Sequence, residues 1–455
     1  MTLLDSTRGI IQVINPFRLS AVGGYVRVGA ASIRMEDIHK TILDNGLTIV
    51  TESIPHVRSV ALGVWLRSGS RRETKDQNGI AHFIEHMLFK GTTKRSAEEI
   101  ARNVDSIGGN LDAFTAKECT SFSIKVLDEH LPLAVDIVSD LVLHPRLDPR
   151  DIEKEKDVIR EEIKMVEDTP DDLVHEIFIQ NFWKNHPLGW PILGTENTLA
   201  GIHRAPLQRY FRECYVPENM VIAAAGRLNH SRLVEALERK FSRLPKAPAP
   251  ASSPAPKSYA EIHLKPKNSL EQIHLCLGVP SYPMAHPKRH ACYVLNVILG
   301  GGMSSRLFQN IREKRGLAYS VFSNLDPYSD TGCFSIYAAT APASAGKTIS
   351  LIVQELRKSK RTLVEKEELR RAKDHLKGGL VLGLESTGSR MGNLARQELY
   401  FGSYTSIQEL MRNVERVSAE EVREVARDSF HSTAIALSLV GKLNGLRVER
   451  DILEC

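Results

Sequence analysis

Residues 244–258 read LPKAPAPASSPAPKS, where repeated proline and alanine leave few backbone donors and favour an extended, semi-rigid connector. The connector divides the 455-residue chain nearly in half, and the two halves repeat. At an offset of 212 or 213, Val60, Leu62 and Val64 meet Ile273, Leu275 and Leu277, and Phe122-Ser123-Ile124 meets Phe334-Ser335-Ile336. A third match sets Glu153-Lys154-Glu155 on Glu365-Lys366-Glu367. Matches that keep nearly one register point to duplication, since unrelated folds have no reason to stay in step. The expected organisation is an N-terminal extension (1–34), a first domain (35–243), the connector (244–258) and a homologous second domain (259–455).

Each copy contains runs that alternate apolar with polar residues, such as Phe122, Ile124 and Val126 around Ser123 and Lys125, which is the pattern of a half-buried strand. Helical patterns lie between them. Asp148-Pro149 makes a helix start, and the charged run to Val166 has helix formers with no internal glycine or proline. The expected fold is α+β in both halves, with helices covering a largely antiparallel sheet.

Composition narrows the function. With 42% hydrophobic and 25% charged residues the chain is a globular protein, and a net charge of +5 gives no reason to expect nucleic acid as a partner. No stretch approaches the roughly 18 apolar residues of a membrane span. The cysteines at 119, 214, 276, 292, 333 and 455 form no Cys-x-x-Cys pair, which favours a reducing compartment. Residues 1–34 carry Arg8, Arg18, Arg27 and Arg34 against the acid Asp5, and Met35 follows them directly. They read as a transit-like segment or as an upstream extension of the reading frame, so the expected location is cytoplasmic, or the mitochondrial matrix in the transit case.

Residues 82–86 read His-Phe-Ile-Glu-His. On a helix His82 and His86 project from one face, close enough for both imidazoles to hold one zinc ion, and Glu85 shares their neighbourhood as a candidate general base. The plainer alternative is a buried amphipathic helix with two incidental histidines. A zinc hydrolase needs a third protein ligand, and the charged helix offers Glu155 and Glu162, seven residues apart on one face. One would bind the metal and the other would orient a ligand. At an offset of 212 the three motif residues become Val294, Val297 and Ile298, so the second copy cannot hold this ion.

With these residues in view, the sequence resembles the insulinase, or pitrilysin, family of inverted-motif zinc metallopeptidases, and its processing-peptidase-like two-domain branch, over essentially everything from Ile38 onward. The resemblance implies His82, His86 and Glu162 as zinc ligands, since the family's third ligand lies 76 residues beyond the second histidine. It also implies Glu85 as the base, Glu155 as support for a ligand, and one Zn2+ per chain. Asn110–Thr115 resembles the family's edge strand, which pairs with an extended substrate, and this places Asp112 and Ala113 at the substrate. The family often has Asn where Asp112 stands, so no side-chain contact is carried over there. Arg312 and Tyr319 match a substrate-binding arginine and tyrosine. By resemblance the chain is a zinc endopeptidase acting on extended or presequence-like peptides. The alternatives are a non-catalytic core subunit and the catalytic subunit of a mitochondrial processing peptidase. Two such domains form half of a clamshell chamber, so a homodimer, or a heterodimer with a paralogous chain, is expected.

Overall fold

The structure, a computed structural model, describes residues 37–250 and 253–455, so the extension 1–34 lies outside the described residues. Six strands form the first sheet: β1 (Asp37–Ile42), β2 (Thr48–Ser53), β3 (Ser59–Leu66), β4 (Asn110–Thr115), β5 (Thr120–Leu127) and β6 (Met220–Gly226). The second sheet holds β7 (Ile262–Pro266), β8 (Ile273–Ser281), β9 (Ala318–Pro327), β10 (Gly332–Thr340) and β11 (Ala436–Gly441). Their orders are β1-β2-β6-β3-β5-β4 and β7-β11-β8-β10-β9. Leaving out β1, the second order is the first repeated. Each sheet has one parallel pair, β2 with β6 and β7 with β11, and is otherwise antiparallel.

The copies share a backbone requirement too. Gly226 ends β6 and Gly441 ends β11, with φ of 135° and 146°. A Cβ would lie 2.2 Å from the Ser59 carbonyl oxygen at the first and 2.5 Å from that of Gln272 at the second, so neither position has room for a side chain. The ladders refine the sequence register. Val64 faces Phe122, whereas Leu277 faces Ile336, so Phe334 stands two residues along its ladder from the place of Phe122.

The helix Ile80–Leu88 packs against the helix Pro149–Asp168, and in the second half Arg289–Gly300 packs against Lys366–Gly383. Asp148 caps the acidic helix by accepting from the Arg150 amide, with Pro149 at its first position. Beyond these pairs the chain crosses over in both directions. Pro170–Phe182 sets Val174, Phe178 and Phe182 on the second sheet against Cys276, Cys333 and Val440. Thr387–Phe401 sets Met391, Leu394 and Ala395 on the first sheet against Val50, Trp65 and Ala223. Each sheet has a glycine under the crossing helix. A Cβ on Gly278 would lie 2.5 Å from the Phe178 ring, and one on Gly63 would lie 2.9 Å from Met391 Sδ. Arg71 adds a polar fastening: buried in the first half, it ion-pairs with Glu118 at 2.7 Å and with Asp330 of the second half at 2.6 Å.

Each half builds a main core from its own residues, but the other face of its sheet is covered by a helix of the other half, so a half alone leaves that face bare. Residues 37–243 or 259–455 expressed singly are expected to aggregate, each exposing a large apolar face. The two co-expressed should co-purify and unfold in one cooperative transition. Size-exclusion chromatography with thermal melts checks this, and a monomeric, cooperatively folded single half would contradict it.

Candidate metal centre

The motif helix starts at a fixed point. Gly79 precedes it with φ of 94°, where a Cβ would lie 2.8 Å from the Leu193 carbonyl oxygen. Glu73 reaches back as a remote cap, accepting from the Gly79 amide at 2.8 Å, the Ala81 amide at 2.9 Å and Asn78 Nδ2 at 2.9 Å. Burial pushes its carboxyl up to about 7 against the pull of those donors. Sequence reading missed Glu73, because a cap is sought within three residues of a helix start and this one comes from further away.

His82 and His86 stand side by side, ring centroids 4.6 Å apart, and both point their Nε2 atoms at Glu162 Oε2, at 3.7 and 3.6 Å. Glu162 Oε2 is buried and without a hydrogen-bond partner among the described residues. Zinc held tetrahedrally at about 2.1 Å from each ligand separates those ligands by roughly 3.4 Å, so the three side chains fit the ion with little adjustment. No other group of three or more such side chains among the described residues comes together this way. An orphaned carboxylate oxygen facing two imidazole nitrogens is a donor set that suits a divalent cation.

Glu155 takes a different place. Its Oε2 lies 3.0 Å from His86 Nδ1 and its Oε1 pairs with Lys90 at 2.6 Å. A carboxylate on Nδ1 keeps the proton there and leaves Nε2 with its lone pair turned toward Glu162 and His82. Burial acts to raise the Glu155 carboxyl, but His86 and Lys90 prevail and hold it below its usual range. Burial, with His86 alongside, holds His82 well below its range, favouring the neutral imidazole a metal requires. In His86 the opposing carboxylates outweigh burial and raise it. Glu162 is shifted up, chiefly by burial.

Glu85 projects from the same helix, and burial raises its carboxyl to about 7 against the hydrogen bond from Thr115. Asp112 and Ala113 lie on β4, opposite Ser123 and Phe122 of β5. β4 is the edge of its sheet, next to the motif helix. Burial raises the Asp112 carboxyl. Arg312 sits on a π-helical turn, Phe308–Glu313, with its guanidinium 4.8 Å from the Phe308 ring and 5.3 Å from that of Tyr319. Tyr319, on the edge strand β9, is 74% exposed and so is not a core tyrosine. None of the hydrogen bonds, ion pairs or ring contacts of Arg312 and Tyr319 reaches the His82–His86–Glu162 cluster. In the second half Val294 and Ile298 are ordinary core residues.

Residues 48–196 match the insulinase family (peptidase family M16), and residues 201–376 match the peptidase M16 inactive domain. A Bacillus subtilis protein described as an uncharacterised zinc protease is 42% identical over 403 residues, covering 89% of this chain and 98% of its own. A Streptomyces coelicolor protein with the same description is 39% identical, covering 91% of each chain. Among solved structures, a peptidase M16 inactive domain from Pseudomonas fluorescens overlays with a TM-score of 0.84 at 22% identity, over 89% of this chain and 98% of that one. A protease from Helicobacter pylori gives 0.83, also at 22% identity, over 89% and 99%.

Proposed function

Since the chain belongs to the insulinase family, peptidase family M16, we propose that it is a zinc-dependent endopeptidase that cleaves extended peptides. The observation that carries this reading is the cluster of His82, His86 and Glu162, with Glu85 on the helix that bears both histidines, a complete set that a non-catalytic core subunit has no reason to keep. Those three residues would hold the ion, and bound zinc supplies Lewis acidity, lowering the pKa of water and polarising a carbonyl. Glu85 takes the proton from the attacking water on a carboxylate oxygen and delivers it to the leaving amine. Glu155 holds His86 in the ligating tautomer. β4 offers an open edge that an extended peptide can join through main-chain hydrogen bonds, a mode that tolerates many sequences. Among the described residues no helix is long and apolar enough to cross a membrane. The bacterial relatives favour a cytoplasmic enzyme over a mitochondrial processing subunit.

Arg312 and Tyr319 would bind the substrate backbone, yet no contact brings them to the cluster of their own chain. We propose a homodimer in which each pair faces the partner's metal site, with a paralogous partner as the alternative. Wild-type protein should cleave a quenched extended peptide, whereas Glu85→Gln and Arg312→Ala chains should each be nearly inactive. Mixing the two mutants with subunit exchange should recover activity, up to about one quarter of wild type for random pairing. Hybrid dimers that form but stay inactive would contradict action across the interface. A wild-type chain loaded with zinc that leaves every peptide intact would contradict the peptidase reading itself.

A further inference from the structure

The Glu85 carboxylate has one hydrogen bond among the described residues, donated by Thr115 Oγ1 to Oε2 at 2.6 Å. Both side chains are buried. Thr115 is the last residue of β4 and pairs with Thr120 on β5. Immediately after it the Ala116 amide donates to the Cys119 carbonyl at 2.8 Å, and the Ala116 carbonyl accepts from the Ser70 amide at 3.1 Å. The hydroxyl therefore projects from backbone held on two sides, and a β-branched residue leaves χ1 little freedom. Glu85, by contrast, has a long side chain whose carboxylate would otherwise rotate. A bond to Oε2 fixes the plane of the carboxylate and leaves Oε1 as the oxygen free to take a proton.

We infer that Thr115 is a positioning residue for the general base, fastening the Glu85 carboxylate to β4, the strand whose open edge would receive the peptide. Scissile bond and proton acceptor are then aligned by one strand, so a peptide seated in register on β4 meets a carboxylate already turned toward it. The inference rests on the reading of Glu85 as the base and gives that base a partner the sequence did not reveal.

Thr115→Val keeps the shape and removes the donor, while Thr115→Ser keeps the donor. The valine variant is expected to lose about tenfold in kcat, with KM and zinc affinity by chelator competition within about twofold of wild type, and the serine variant to regain most of the loss. The metal-free protein gives a second readout: Thr115→Val should lower the unfolding midpoint by a few degrees, and by less than about half as much in a Glu85→Ala background. A kcat for Thr115→Val within about twofold of wild type, a serine variant as slow as the valine one, or equal midpoint shifts in both backgrounds would overturn the inference. Should Thr115→Val be normal while Glu85→Gln is inactive, only the positioning role falls. Should Glu85→Gln itself retain full activity, the base assignment beneath it falls first.

Discussion

Replacing Glu85 with glutamine is expected to reduce peptide cleavage by roughly 10²- to 10⁴-fold while zinc content and melting temperature stay near wild type. The amide matches the carboxylate in size and can still accept the Thr115 hydroxyl, so the packing of a side chain that is 6% exposed is preserved. What is lost is the ability to take a proton. Among the described residues the hydrogen bond of the Glu85 carboxylate runs to Thr115 and not to the ligand triad, so metal affinity should change little. Turnover by initial rates, set beside metal content by atomic emission, separates the two effects. Comparable turnover in mutant and wild type at equal zinc would remove Glu85 from the chemistry.

The second large effect is expected at the acidic helix. Glu162→Gln should weaken zinc binding by about 10³-fold or more, and Glu155→Gln by only about 10- to 100-fold. Exposure alone would suggest the opposite, because the Glu155 side chain is 5% exposed and that of Glu162 is 26% exposed. Geometry decides. Glu162 Oε2 faces both Nε2 atoms, while Glu155 is turned to His86 Nδ1 and Lys90. A glutamine at 162 replaces an anionic ligand oxygen, whereas a glutamine at 155 can still accept from Nδ1. Competition against a chelator of known affinity measures both, and the reverse order would exchange the two roles.

The motif was legible in sequence because its chemistry is local: His82, Glu85 and His86 share one short helix, and four-residue spacing fixes their common face. Glu155 and Glu162 were legible as a pair, since both lie on one face of the acidic helix. Spacing could not say which binds, and that assignment came from the family resemblance. The duplicated strand order was foreshadowed by short matches in nearly one register. The crossing of Pro170–Phe182 and Thr387–Phe401 was not, because an apolar helix face reads the same whichever sheet it covers. Glu73 and Thr115 escaped for a related reason. Each makes its hydrogen bond to a residue on another element, and nothing in its immediate surroundings marks it. Tyr319 was also ambiguous, since a tyrosine at a strand start serves equally as core or surface until the strand proves to be an edge.

His82, His86 and Glu162 are expected to hold one zinc ion on which peptide cleavage depends. The direct measurement is titration of zinc into metal-free protein, by calorimetry, with quenched-peptide cleavage followed at each addition. The expected result is about one equivalent bound per chain, activity rising in step with occupancy, and loss of both in His82→Ala. Cleavage that is full before any zinc is added and indifferent to chelation would contradict it, and so would tight one-to-one binding with no cleavage of any peptide.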